Sequence, residues 1–340
     1  MGRTGTDHIK RRRAWLVTAG VCALAVVAGV TVATNTNVLG PRDLCDGWFS
    51  GEDAGKSLDG FGRVTGSTDN LGGCTVEQSG WLPGTTDAKI RLSAASVTPA
   101  HPFGRSGWKA SGAQNILPGE LPGAFDTDGN GWVALPSDCG PIGAAWAKGD
   151  RTVLNVVTER GDADPAELAR LTRATARKLA ADHDCAPADS AAGNASADLI
   201  QASAPAKSDP ATVCGLDGFS LGAKAPAASP LREQTSGSRD DAWFCDLSLH
   251  QPATGLPRDD DREPFARLAV VRNPELLLSA KERHFDHAVC GGKETYFATD
   301  IADYVYSPDT PEEKAAATLV KASDVQNRFT AAARTALDCD

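Results

Sequence analysis

The sequence predicts an α+β protein that consists of two tandem copies of one small disulfide-stapled domain, preceded by one transmembrane helix. Each domain is expected to hold a mostly antiparallel sheet with a packed C-terminal helix. Three observations support this: an uncharged run near the N-terminus, two groups of four cysteines with similar spacing, and short alternating segments followed by helical patterns. A chain of 340 residues with 41% hydrophobic and 23% charged residues has the composition of a globular protein.

The N-terminal segment predicts the compartment. A basic block at residues 10–13 precedes an uncharged run of 20 residues at 14–33, which as a helix would be about 30 Å long and could cross a bilayer. The basic flank should stay in the cytoplasm. We therefore expect a cytoplasmic tail at 1–13, a transmembrane helix at 14–33, a spacer at 34–40 and an extracellular remainder. The alternative is a secreted protein whose signal peptide is cleaved after Ala33.

Of the nine cysteines, the eight that lie outside the uncharged run at 14–33 indicate an internal repeat. Their first intervals are 29 and 31 residues, their last intervals 46 and 49, and only the middle intervals, 65 and 45, differ clearly. Local sequences agree as well, since Cys139-Gly140 matches Cys290-Gly291. We interpret residues 41–187 and 212–340 as two copies of one domain, joined by a mobile Ala/Ser/Pro linker at 188–211. The eight cysteines are Cys45, Cys74, Cys139, Cys185, Cys214, Cys245, Cys290 and Cys339.

An even number of cysteines in an exported protein favours disulfides over metal binding. Four cysteines allow three pairings. We prefer first-to-second and third-to-fourth within each domain, because those intervals stay nearly constant, as closed loops would.

Helix and strand patterns complete each predicted domain. Asp164-Pro165 reads as a helix start, and the helix is expected to run to about His183, with Leu168 and Leu171 among the residues of its apolar stripe. In the second copy, Ser323 and Gln326 form a capping-box pattern. The stripe that follows is Val325, Phe329, Ala332 and Ala336. The strands alternate, which predicts sheets with one face exposed to water. The segment 99–131 is expected to be a long loop without an equal in the second copy.

Charge argues against nucleic-acid partners. Removing the five basic residues and one acidic residue of the tail from 34 and 44 leaves 29 and 43, a net charge of −14 outside the membrane. Such a surface repels DNA and anionic lipids.

One motif could supply a nucleophile. Gly218-Phe219-Ser220-Leu221-Gly222 matches G-x-S-x-G, in which the serine must lie on a tight strand-to-helix turn with a histidine and an acid nearby. The first copy has the related Gly47-Trp48-Phe49-Ser50-Gly51, which lacks the spacing. We interpret both as turns of the repeat, with an exported hydrolase using Ser220 as the alternative.

Two further patterns could bind metal. Asp126, Asp128 and Asn130, followed by Gly131, fit the first half of a calcium loop, but Ser137 stands where the bidentate glutamate belongs. An ordinary turn is the alternative. His284 and His287 lack a third zinc ligand. No catalytic residue, metal site or cofactor is therefore assigned.

The N-terminal anchor, the Ala/Gly-rich composition and the pattern Cys45…Cys74-Thr75-Val76…Cys139-Gly140…Cys185 with its second-copy counterparts resemble uncharacterised membrane-anchored and lipoprotein-like envelope proteins of actinobacteria. The resemblance implies a non-enzymatic envelope protein. We expect an interaction protein that binds an envelope protein or a small ligand, with a structural envelope spacer as a further alternative.

Overall fold

The computed structural model describes residues 43–58, 62–69, 73–80, 85–97, 110–142, 151–185, 198–222, 224, 230–249, 264–277 and 285–340. The expected tail, transmembrane helix and spacer at 1–40 lie outside these ranges. Within them, no helix combines the length and the apolar character needed to cross a membrane.

The described part of the chain is a mixed α/β structure. Its first unit, residues 43–185, contains β1 (Asp43–Leu44), β2 (Phe49–Ser50), α1 (Gly51–Ser57), β3 (Val64–Thr68), β4 (Cys74–Ser79), β5 (Thr86–Val97), β6 (Asn115–Leu117), β7 (Gly123–Phe125), β8 (Gly131–Ala134), β9 (Arg151–Arg160) and α2 (Pro165–Asp182). Its second unit, residues 206–340, contains β10 (Ala206–Lys207), β11 (Leu231–Gly237), β12 (Ala242–Leu249), β13 (Ala266–Val271), β14 (Asp286–Cys290), β15 (Lys293–Ile301), α3 (Pro311–Ser323) and α4 (Val325–Ala336).

Each unit has one large antiparallel sheet, as the alternating segments predicted. The first sheet has the order β3-β4-β5-β9-β8-β7-β6 and the second β10-β11-β12-β13-β15-β14. The runs β3-β4-β5-β9-β8 and β11-β12-β13-β15-β14 follow the same path, because in both the fourth and fifth strands along the chain exchange places across the sheet.

The first-unit helix is confirmed. The Asp164 carboxylate accepts hydrogen bonds from the N–H groups of Ala166 and Glu167, and Pro165 occupies the first turn. The apolar stripe, including Leu168 and Leu171, is buried against the sheet. Local capping chemistry therefore places this helix without tertiary information.

The second-unit helical region differs from the prediction. The capping box lies at Thr310 and Glu313, not at Ser323, which is the last residue of α3. Asp324 has a left-handed backbone (φ 42°) and separates α3 from α4. In α4 the buried stripe includes Val325 and Phe329. Ala332 belongs to this stripe as predicted, whereas Ala336 is exposed.

All eight cysteines in the described ranges form disulfides, and their pairing matches the prediction. Two bridges connect a loop to a strand of the sheet, Cys45–Cys74 and Cys214–Cys245. The other two connect the region at the end of a strand to the residue that follows a helix, Cys139–Cys185 and Cys290–Cys339. The latter pair tie the helix layer to the sheet layer in each unit.

The predicted water-exposed sheet faces are wrong, because the two sheets pack against each other. One face of each sheet packs against its own helices. The opposite faces form a shared core, whose members include Ile116, Trp132, Val153, Phe244, Val271 and Tyr296. The layers therefore follow the order helix, sheet, sheet, helix. Alternation assigns residues to faces but does not determine what covers each face.

Two segments expected to be irregular carry structure instead. Within 99–131, strands β6 and β7 extend the first sheet. The described part of the expected mobile linker, 198–211, is bonded to both units: Ile200 and Ile116 exchange two backbone hydrogen bonds of 2.9 and 2.8 Å, and the Ser203 N–H donates to the Thr235 carbonyl at 2.8 Å. This stretch connects the units as expected, but backbone hydrogen bonds attach it to both of them.

Candidate functional site

The structure places Ser220 in a loop, not in a nucleophile elbow. Asp217 and Gly218 form a turn, Phe219 and Ser220 have no regular secondary structure, and Leu221 and Gly222 are not helical. A hydrogen bond of 3.0 Å from the Val213 N–H to the Phe219 carbonyl closes the loop. Phe219 is fully buried, with its ring 5.9 Å from that of Phe329. The motif therefore anchors a loop in the second-unit core.

Its first-unit counterpart serves another structural purpose. Ser50 is the N-cap of α1: its hydroxyl oxygen accepts a hydrogen bond of 3.0 Å from the Asp53 N–H and donates to the Asp53 carboxylate at 2.8 Å. Ser50 thus lies between a strand and a helix but satisfies the helix terminus. This is the ordinary role of serine at such a position.

The calcium-loop residues form a turn that satisfies its own polar groups. The Asp126 carboxylate accepts hydrogen bonds from the N–H groups of Asp128 and Asn130, at 2.9 and 2.8 Å, and from the Asn130 side-chain amide. The Asn130 side-chain oxygen accepts from the Thr158 N–H at 2.8 Å. The oxygens of Asp126 and Asn130 are thus engaged within the fold, which favours the turn interpretation.

A shallow polar cleft adjoins this turn. It has a volume of about 500 Å³ and lies between the β7–β8 turn, the end of β9 and the residues before α2. Its charged lining residues are Asp128, Glu159, Arg160 and Asp162. Glu159 pairs with Lys89 at 3.1 Å, whereas Asp162 is exposed. No group of three or more metal-ligating side chains occurs among the residues that the structure describes.

The two histidines of the second unit are not brought into a site. His284 lies outside the described ranges. His287 is exposed on β14, and its ring stacks on that of Tyr296 with centroids 5.4 Å apart. This stacking is the ordinary role of a surface aromatic on a strand.

Buried charges concentrate at the junction of the two units instead. Arg151 on β9 is 3% exposed and pairs with Glu275 of the second unit at 2.7 Å. The Ser137 N–H donates to the same carboxylate at 2.9 Å. Burial lowers the pKa of the Arg151 guanidinium, and the charge of Glu275 opposes that shift. Such a pair is costly to break, because removal of one partner leaves the other desolvated.

A second group of contacts surrounds Asp241, just before β12. Its carboxylate accepts hydrogen bonds from the Asn273 amide at 2.7 Å and from the Gly119 N–H at 3.4 Å. The Asn273 amide also donates to the Gly119 carbonyl at 2.8 Å. Burial raises the pKa of Asp241, while the hydrogen bond from Asn273 lowers it. Burial likewise lowers the pKa of the nearby Arg173 guanidinium to about 10.

Sequence reasoning missed this junction. The sequence does offer a signal for it, since Asp246 lies within the largely apolar strand β12 and Arg151 begins strand β9 just before the buried apolar residues Val153 and Leu154. A charged residue within such a strand signals either an exposed face or a buried partner. Only the packing of the second sheet decides between the two.

Comparison of the chain with protein-family models, with curated proteins and with solved structures found no match.

Proposed function

We propose that this chain is a non-enzymatic binding or interaction protein of a bacterial cell envelope, anchored by its N-terminal segment and built from two related α+β units outside the cell. The observation that carries the proposal is the combination of four disulfides with a core shared by both sheets. Together these features favour a rigid extracytoplasmic body.

The disulfides support the location. Bridges of this kind persist in oxidising compartments and are rare in the cytosol. An anchor at 14–33 with the basic flank inside would place all eight bridged cysteines in such a compartment.

The shared path of the strands supports a relationship between the units. Five strands follow the same order in both sheets, and each unit has one bridge into the sheet and one at the end of its helical region. A duplication accounts for the strand order and the cysteine spacing with one event.

The roles of the candidate chemical residues support binding over catalysis. Ser50 caps a helix, Ser220 lies in a loop anchored by Phe219, and Asp126 closes a turn. The cleft beside that turn, with Asp128 and Asp162 at its rim, is the surface to which we assign ligand or partner contact.

Topology is tested with reporter fusions to the C-terminus of the full chain. We expect an active alkaline phosphatase fusion, since that enzyme needs export, and an inactive β-galactosidase fusion. Membrane-bound phosphatase would identify an anchor, and release into the medium would identify signal cleavage. An active β-galactosidase fusion would contradict the extracytoplasmic location.

Catalysis by Ser220 is tested with p-nitrophenyl acetate. We expect the purified chain and its Ser220→Ala variant to hydrolyse this ester at the same rate. A tenfold or greater loss in the variant would favour the hydrolase alternative.

Binding at the cleft is tested by photo-cross-linking in intact cells. A photoreactive residue at position 162 is expected to give a discrete adduct that weakens when Asp128→Asn and Glu159→Gln are added. The matched control places the same residue at exposed position 217 of the second unit. Equal adducts from both positions, or none from either, would favour the spacer alternative.

A further inference from the structure

Two carboxylates of the second unit hold one segment of the first. We call residues 110–121, which precede β7, the docking segment. The Asp246 carboxylate on β12 accepts a hydrogen bond of 3.0 Å from the Gly112 N–H near the start of this segment. The Asp241 carboxylate accepts one of 3.4 Å from the Gly119 N–H near its end. The residue that precedes β12 and a residue within β12 therefore hold the segment at two points.

The contact at Asp246 excludes water. Asp246 is 8% exposed and Ser111 is 9% exposed. A Cβ at Gly112 would lie 2.0 Å from the Gln234 carbonyl oxygen, so the backbone of the docking segment touches strand β11 directly. An ionised carboxylate at this place must replace its hydration with the few donors that the segment offers.

We propose that the docking segment is a pH-sensitive latch between the two units, held more tightly when Asp246 is protonated and loosened when it ionises. The inference rests on the contacts between the units and does not depend on where the protein is located.

Among the residues that the structure describes, few charged groups lie around the latch. Facing Asp246, strand β13 presents Arg267, which the Asp300 carboxylate of β15 approaches at 3.5 Å. Strand β11 presents the neutral Gln234, and the docking segment presents backbone N–H groups and the hydroxyl of Ser111.

The surroundings of Asp241 contain more positive charge. Helix α2 contributes Arg173, with Arg177 beside it, and strand β15 contributes Lys293. From the second unit, the neutral side-chain amide of Asn273 donates a hydrogen bond to the Asp241 carboxylate.

The direction of the effect follows from burial. Burial raises the pKa of Asp246 to about 6, with the hydrogen bond from the Gly112 N–H as the main opposing cause. A solvated aspartate has a pKa of about 4. The contribution of this group to latching is therefore complete below about pH 4 and is lost as the pH rises through about 6. The raised pKa of Asp241 acts in the same direction.

Amide hydrogen exchange of the full chain tests the proposal. After correction for intrinsic rates, the protection of peptides from 110–121 should rise about 10-fold from pH 7.5 to pH 5, as expected for one carboxyl whose pKa moves from about 4 to about 6. In Asp246→Asn, which imitates the neutral acid at every pH, the protection should change less than about 3-fold between pH 7.5 and pH 5, and it should exceed the wild-type value at pH 5 by about 10-fold, because the wild-type contribution is complete only below about pH 4. Asp217→Asn, an exposed position on the same unit, should keep the wild-type pH dependence.

Two results would overturn the latch. One is wild-type protection that changes less than about 2-fold over this pH range. The other is an equal change in helix α4, which would mean that the whole molecule responds. If Asp246→Asn does not fold, carbon NMR titration of the Asp246 carboxyl in the wild-type chain decides instead: a midpoint near 6 supports the latch, and one below about 4.5 refutes it.

Discussion

At the scale of single residues, Gly112 marks a close approach between the two units. Its φ is not in the left-handed region, so backbone conformation does not require glycine there. Space does: a methyl group would meet the Gln234 carbonyl at 2.0 Å and the Asp246 backbone nitrogen at 2.7 Å. These are main-chain atoms of the second sheet, which cannot move aside like a flexible side chain.

We therefore expect Gly112→Ala to lower the free energy of unfolding by about 1–3 kcal/mol, the usual cost of overpacking. Chemical denaturation of the purified chain measures it. Ala113→Ser adds one heavy atom at an exposed neighbouring position and should change stability by less than about 0.5 kcal/mol. Equal values for the two variants would refute the close contact.

Asp246 lies at the same contact, but a different physical effect decides its behaviour. Lack of space prevents a larger side chain at Gly112. At Asp246, the loss of hydration opposes ionisation, since burial raises the pKa of the carboxyl to about 6. Both residues act at one contact, so their substitutions should not be additive.

At the scale of elements, helix caps explain why the start of one helix was predicted correctly and the start of another was not. Asp164-Pro165 marks the start of α2. Thr310-Pro311 with Glu313 marks the start of α3 by the same capping rules. The capping box at Thr310 and Glu313 is thus a local signal, and the prediction of one at Ser323 was wrong. The break at Asp324 has a left-handed backbone, a conformation that aspartate adopts more readily than most residues but that its presence in a sequence does not require.

The turns that contain Ser50 and Ser220 give a testable contrast between elements. Ser50→Ala should lower the free energy of unfolding by about 1 kcal/mol, because the Asp53 N–H loses its capping acceptor. Ser220→Ala should cost less than about 0.5 kcal/mol, since the anchor of its loop is the buried ring of Phe219. Denaturant titration of both variants provides the comparison, and a larger cost at Ser220 would contradict these roles.

The edges of the sheets are protected by chain segments. Ile200 pairs with Ile116 on the outer strand of the first sheet. At the edge of the second sheet, the Asp340 N–H donates to the Val289 carbonyl at 3.1 Å. Covered edges limit pairing with other chains.

At the scale of the whole molecule, the shared core makes the two units one body. Trp132 of the first unit and Phe244 of the second are 3% and 1% exposed within it. Separation of the sheets would expose both faces to water. Each unit alone would then lose the free energy that this burial contributes, which is large relative to the usual free energy of unfolding of a protein.

We therefore expect a single cooperative transition when the purified full chain is heated in a calorimeter with its disulfides intact. Phe244→Ala should lower stability by about 3–5 kcal/mol and shift the whole transition. Two separated transitions, of which Phe244→Ala shifts only one, would show that the units unfold independently.

The sequence predicted those features that depend on neighbours along the chain or on loop length. The pairing of Cys45 with Cys74 and of Cys290 with Cys339 followed from intervals that barely vary. Helix α2 followed from its cap and its stripe. The antiparallel sheets followed from short alternating strands.

Only the tertiary structure decided what covers the second face of each sheet. The shared core contains many alanines, among them Ala124, Ala134, Ala269 and Ala298. Alanine is common both inside proteins and on their surfaces, so these positions did not reveal a buried face. The sequence likewise did not reveal that Asp246 is buried. A charged residue is usually exposed to water, and only the folded structure places the docking segment over this one. By itself the sequence determined helix α2 with its cap, the antiparallel pairing of the alternating strands and the loops that the cysteines close. The contact between the two sheets depends on shape matching between residues far apart in the chain, and no local pattern encodes it.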